Sequence, residues 1–204
     1  MQELITAIGN DSVDRIVAEA GTYDFDTSAM SCGSALCINR TLIIEGEVPG
    51  AVVLNATGKW RVFKIKPGGN ATLIGLNITG GDTGTSTQVN FTRRNISSGR
   101  PTMEQNRARF SRQGSFAKSG GGIHIASDGH ASLIYSNVYE NKAEVNGGGI
   151  YVAEDGHASL IYSNVYENKA EINGGGLYIN MGTAALSNVN VYKNRAKNVL
   201  GLSY

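Results

Sequence analysis

Arg61, Lys64 and Lys66 place three cations within six residues. An enzyme that cleaves an acidic polysaccharide by elimination needs such a group to take the proton beside a carboxylate, commonly with Ca²⁺ held by several aspartates. A glycoside hydrolase needs two or three carboxylates spaced across the scissile bond. Arg61, Lys64 and Lys66 are therefore the catalytic candidates of an elimination reading, but no column of carboxylates accompanies them. Asp24 and Asp26 stand without acidic neighbours, and Asp128 and Asp155 each precede a glycine, a turn position that favours Asp for local hydrogen bonding. His130 and His157 follow Gly129 and Gly156 and read as turn histidines. No cofactor or metal site is expected.

Tyrosines offer the other candidate chemistry. Tyr151 with Tyr178, Tyr135 with Tyr162, and Tyr139 with Tyr166 and Tyr192 recur at matching places in a repeat. Tyr combines apolar area with a hydrogen-bonding tip and suits sugar binding. Stacked rings would equally stabilise a sheet by cross-strand contact. Tyr151, Tyr178, Tyr135 and Tyr162 are the ligand-binding candidates. Period-two alternation places Tyr151 and Tyr178 on the outside of their strands.

The elements that position these residues follow from the repeat. Gly129 to Glu144 and Gly156 to Glu171 both read GHASLIYSNVYENKAE, 27 residues apart, and each is followed by an Asn-Gly-Gly-Gly run at Asn146 and Asn173. A fixed period in this range signals stacked units that bury their apolar faces against one another. Thr183 to Lys197 is a further copy with one turn residue lost near Met181, and Phe63 to Thr79 aligns with Ile123 to Tyr139. Four columns are apolar throughout: Leu73, Leu133, Leu160, Leu186; Ile78, Val138, Val165, Val191; Phe63, Ile123, Ile150, Leu177; and Ile65, Ile125, Val152, Ile179. Alternating residues rich in β-branched types between Asp-Gly and Gly-Gly turns predict two or three short strands per unit and no helix.

Two columns are asparagine: Asn77, Asn137, Asn164, Asn190, and Asn141, Asn168, Asn194. Coils stacked at about 4.8 Å bring identical amides into bonding distance, as a ladder. A structural ladder at a bend is one reading, and a ligand-binding row is the other.

Gly-Gly-Gly-Ile-Tyr followed by Leu-Ile-x-Ser-Asn-Val-Tyr-x-Asn-x-Ala resembles the repeat of polymorphic outer membrane proteins, whose pattern is Gly-Gly-Ala-Ile and Phe-x-x-Asn. Here Val138 to Asn141 stands for the second motif, with Val for Phe, and Gly121-Gly122-Ile123 lacks the Ala. More broadly the chain resembles right-handed parallel β-helices of the pectin-lyase-like fold. Asp14 to Tyr23 resembles the first coil of such proteins, after a segment with Leu4, Ile5 and Ile8 that would cap the open end. The resemblance implies an all-β, right-handed parallel β-helix, a solenoid of about six coils with a short N-terminal capping segment and a long insertion. It covers most of the chain outside Asp82 to Ser119, and it implies little about function, because the fold serves lyases, hydrolases, adhesins and inert stalks.

The 204 residues are expected to form a single β-helix domain. Residues 1–81 hold the cap and degenerate coils, 82–119 a basic Ser/Thr/Arg-rich insertion, and 120–204 the regular 27-residue coils. The insertion carries seven positive and two negative side chains, leaving 11 positive and 15 negative of the 18 and 17 in the whole chain. It is either a tolerated insertion or a basic flap that meets an anionic partner. A net charge of +1 gives no field for nucleic acid, and no apolar run is long enough to span a membrane. Met1 to Asn10 does not read as a signal peptide.

Six glycosylation candidates, Asn10, Asn39, Asn55, Asn70, Asn90 and Asn95, begin Asn-x-Ser/Thr, as does ladder residue Asn77. Cys32 and Cys37, the only cysteines, read as a local disulfide of an oxidising compartment. The expected location is extracellular or the cell surface, and the chain reads as a mature form or as a fragment of a longer protein. Val199 to Tyr204 offers no polar cap, so further β-helix coils or another protein are expected at the C-terminal end. The leading expectation is a non-catalytic secreted or surface module, a scaffold that binds a polysaccharide, another cell-surface glycan or another surface in the manner of an adhesin. The alternative is a polysaccharide lyase or glycoside hydrolase of the pectin-lyase-like fold.

Overall fold

The structure, a computed structural model, describes residues 2–26, 32–84 and 118–197. One short helix, α1 (Gln2–Ile8), precedes the strands. The first turn is β1 (Arg15–Ala18), β2 (Gly21–Asp24) and β3 (Ser34–Ile38), and the second is β4 (Thr41–Gly46), β5 (Val52–Asn55) and β6 (Arg61–Ile65). β7 (Asn70–Ile74), β8 (Leu76–Thr79) and β9 (Ile123–Ile125) form the third, with the insertion between β8 and β9. The fourth is β10 (His130–Ile134), β11 (Asn137–Tyr139), β12 (Lys142–Ala143) and β13 (Ile150–Val152). The fifth is β14 (His157–Ile161), β15 (Asn164–Tyr166), β16 (Lys169–Ala170) and β17 (Leu177–Ile179). β18 (Thr183–Ser187), β19 (Asn190–Tyr192) and β20 (Arg195–Ala196) open another.

Every strand pairs in parallel with its counterpart one turn away, which yields sheets of six, six, five and three strands. This is a parallel β-solenoid of about five turns, against the six expected. The register matches the repeat residue for residue: His130 faces His157, Leu133 faces Leu73 and Leu160, and Ile123 faces Phe63 and Ile150.

The core is the stack of inward columns. Leu73, Leu133 and Leu160, Ile78, Val138 and Val165, and Phe63, Ile123 and Ile150 are all fully buried. Burying such a side chain contributes about 1.5–3 kcal/mol, and each coil obtains that burial only from its neighbours. In the last described turn the same column is open: Leu186 is 49% exposed. At the other end α1 packs Leu4 and Ile8 onto the first turn. Arg40 donates from Nη2 to the carbonyls of Ile8 and Asn10 at 3.1 and 2.9 Å, holding the end of the helix against the coil.

The Gly-Gly-Gly run has a steric reason. At Gly148 a Cβ would lie 2.3 Å from the Gly175 carbonyl oxygen and 2.4 Å from that of Lys169. Backbone therefore meets backbone where the short wall of β12, β16 and β20 turns into the β9, β13, β17 sheet, and only glycine fits there.

Candidate functional site

The three cations read as lyase candidates differ in their surroundings. Arg61 begins β6 and is 5% exposed. Its Nε donates to the Gly120 carbonyl at 2.8 Å, Nη2 to the Ser119 carbonyl at 2.7 Å and Nη1 to Ser34 Oγ at 3.3 Å. Burial lowers its pKa to about 10. The guanidinium is a clamp on the chain re-entering after the insertion, because its planar fork fits several carbonyl oxygens at once. This corrects the expectation that it faces a substrate. Lys64 does project from β6 and is half-buried, and burial, then Arg61 and Lys66, lower its pKa. Lys66 lies just beyond the strand, partly exposed. Among the described residues no three His, Cys, Asp or Glu side chains are grouped to hold a metal.

Lys64 belongs to an outward column that continues through His124, Tyr151 and Tyr178. The rings stack, His124 on Tyr151 at 5.0 Å and Tyr151 on Tyr178 at 5.9 Å. Alternation predicts an exposed column, yet His124 is 6% and Tyr151 1% exposed. The reason is local. The backbone at Gly120, Gly147 and Gly174 folds back over it, so that a Cβ on Gly147 would lie 3.0 Å from the Tyr151 Cα and one on Gly174 2.7 Å from the Tyr178 Cβ. Tyr151 therefore cannot offer a ring to a ligand, and Tyr178 is only partly exposed. His124 Nδ1 lies 3.2 Å from the Ser119 carbonyl, an acceptor, which makes Nδ1 the donor. Burial, with Arg61 next, pushes the His124 pKa down to about 3.

Tyr135 and Tyr162 remain available. They are 55% and 52% exposed at the corner between β10 and β11 and between β14 and β15, with backbone φ of 51° and 48°. Their rings stack at 5.3 Å with an interplanar angle of 9°. Further along the same segments, Tyr139, Tyr166 and Tyr192 stack at 5.1 Å at both steps. Stacking occupies both faces of Tyr166 and one face of each of the other four rings, so between coils the rows offer edges and hydroxyl groups rather than the flat rings expected.

Both asparagine columns are ladders, and they run in opposite directions. In the outer one, Asn190, Asn164 and Asn137 each donate Nδ2 to the preceding coil's Oδ1 at 2.8 Å, ending with Asn77 on the Gly50 carbonyl at 2.7 Å. In the inner one Asn141 donates to Asn168 and Asn168 to Asn194, each at 3.0 Å. Asn141 and Asn168 are buried, whereas Asn137 and Asn164 are partly exposed. A third amide pair, Asn173 to Asn146 at 2.9 Å, lies outside the two predicted columns, although the Asn-Gly-Gly-Gly repeat carries its signal. Buried Ser136 and Ser163, which bond backbone groups of neighbouring coils, have no signal beyond their repetition.

Cys32 and Cys37 are joined as a disulfide. Asn10, Asn39 and Asn70 are exposed. Asn55 is engaged with Asp24 at 2.7 Å, and Asn90 and Asn95 lie outside the described residues, as does most of the basic insertion. His130 and His157 are exposed, stack at 4.7 Å and line an open depression of about 430 Å³ together with Asn70, Ser132, Ser159 and Thr183. No described helix is long and apolar enough to cross a membrane. No family model, no curated protein and no solved structure matches the chain.

Proposed function

We propose that this chain is a non-catalytic β-solenoid module of a secreted or surface-displayed protein, a rigid scaffold whose outer faces bind glycan. The observation that carries this reading is a contrast between two groups of candidates. Arg61, the central catalytic candidate, is spent on backbone carbonyls, while Tyr135 and Tyr162 stand exposed in a regular row. A catalytic centre needs different reactive groups on neighbouring coils, whereas the two regular coils from β10 to β17 repeat the same side chains. The disulfide is consistent with an extracellular location. The finer reading, a right-handed pectin-lyase-like helix with repeats of the polymorphic outer membrane type, is supported by the Asn-Gly-Gly-Gly-Ile/Leu-Tyr runs and by the general right-handedness of parallel crossovers. The exposed edge at β18 and β19 supports further coils, or a partner protein, as the neighbour at that end.

Saturable retention of the intact chain on a glycan array tests the proposal. Tyr135→Ser with Tyr162→Ser is expected to weaken retention without loss of fold. Release of reducing ends or unsaturated products from polygalacturonate or alginate would favour the lyase alternative instead, with half-buried Lys64 as its base.

A further inference from the structure

The face carried by β8, β11, β15 and β19 is built differently from the other sides of the solenoid. Two outward columns run along it, parallel to the coil axis. One is the outer amide ladder, Asn137, Asn164 and Asn190, and the other is the stack Tyr139, Tyr166 and Tyr192. The repeat along the axis is the coil height: Tyr rings recur at 5.1 Å, and each amide sits one bond of 2.8 Å from the next. An amide nitrogen carries two hydrogens. The ladder uses one of them, so each coil offers one further N–H at constant spacing, together with one Tyr hydroxyl, that of Tyr139 being shared with Thr79.

The charge pattern narrows the ligand. The outward positions of β11 and β15 hold no charged side chain. Beyond the tyrosines, two lysines of the short wall are paired with acids: Lys142 with Asp82 at 3.4 Å and Lys169 with Glu171 at 2.9 Å. Lys193 is likewise held by Glu167 at 3.1 Å. Among the described residues a polyanion would find no continuous positive row here. Tyr166 is stacked on both faces and Tyr139 and Tyr192 on one each, so along the row recognition runs chiefly through hydroxyl and amide groups. This chemistry suits an uncharged, hydroxyl-rich polymer that advances by about one coil height per unit.

We propose that this face binds a neutral, extended polysaccharide lying along the solenoid axis, one sugar per coil, held by the Tyr139, Tyr166 and Tyr192 hydroxyls and the second amide N–H of each residue in the Asn137 ladder. The inference rests on the glycan-binding reading and adds to the Tyr135 and Tyr162 row a second contact surface with a stated ligand charge and orientation. The alternative, in which the basic stretch 82–119 captures an anionic glycan by charge, is one of the outcomes of the test.

The test is retention of the full chain on insoluble cellulose and chitin, and on immobilised alginate and heparin, at low salt and at about 1 M salt. Retention on a neutral polymer that survives high salt is expected. Tyr166→Phe with Tyr192→Phe keeps the stack and removes only hydroxyls, and it is expected to bind about tenfold more weakly with an unchanged thermal midpoint. Undiminished retention of the Phe variant on a neutral polymer overturns this site and leaves glycan binding standing. Retention confined to alginate or heparin and lost at high salt overturns the neutral ligand and moves binding to the basic stretch. Retention on none of the four overturns both readings.

Discussion

Asn141 donates both its backbone N–H and its side-chain amide to Oδ1 of Asn168 in the next coil, each at 3.0 Å. Asn168 repeats the arrangement toward Asn194 and also donates Nδ2 to the Val138 carbonyl at 2.8 Å. The inner ladder therefore supplies the hydrogen bonds that the backbone cannot make for itself at a sharp bend, where Glu140, Glu167 and Lys193 adopt φ near 54°.

Replacing Asn168 by Leu leaves the buried Asn141 N–H without its acceptor and takes the side-chain donor from the Val138 carbonyl. We expect a loss of about 3 kcal/mol in denaturant unfolding. Asn164→Leu, on the partly exposed outer ladder, is expected to lose about 1 kcal/mol. Equal losses at the two positions would contradict the division of labour between the ladders.

Gly148→Ala forces a Cβ against two backbone oxygens of other coil segments, neither of which can move without shifting a strand. We expect a loss of about 3 kcal/mol or more. Gly50→Ala meets open space and loses only the comfort of glycine at φ 79°, about 1–2 kcal/mol. Thermal and urea midpoints of the two variants, measured side by side, check the order.

The cluster around Arg61 makes stability depend on pH. Burial holds the His124 pKa at about 3 against an ordinary 6.5, so the unfolded chain binds a proton there that the folded chain refuses. The neutral ring's contribution is complete above about 6.5 and is lost as pH falls toward 3, at about 1.4 kcal/mol per pH unit. His124→Phe is expected to flatten the decline between pH 6.5 and about 5. Glu171 acts lower: Lys197 and Lys169 hold its carboxyl at about 2 against 4.5, so its ion pairs weaken only as pH falls below that ordinary value. Glu171→Gln is therefore expected to change only the acid end of the curve, and less so in high salt. A decline unchanged by His124→Phe above pH 5 would exclude the ring as its source.

Arg61→Lys keeps the charge and loses the fork on Ser119, Gly120 and Ser34. We expect it to lower stability by about 2–3 kcal/mol. Glycan retention per folded molecule should not change, because Arg61 faces backbone and not ligand. Unfolding curves combined with binding at a temperature where the variant is fully folded separate the two effects.

The apolar and asparagine columns are legible in the sequence because each residue meets its own copy one coil away, so a register error would put Leu133 or Val138 on the wrong face. The first two turns are harder to read, because the columns of β4 and β5 mix types, with Ile43 facing Thr72 and Val53 facing Asn77. Tyr151 shows where alternation stops informing. Period two gives the side of the sheet correctly, yet exposure depends on what covers that side, here backbone at Gly147. Arg61 misleads for the same reason, since the carbonyls it holds come from Ser119 and Gly120, 58 and 59 residues further on.

The most direct test of the central claim follows the intact chain with soluble and insoluble polysaccharides, measuring bound protein and released product in the same samples. A non-catalytic binding module predicts saturable retention with no reducing ends and no unsaturated product at any time. Product that accumulates with time in proportion to protein, and disappears in Lys64→Met, would contradict it.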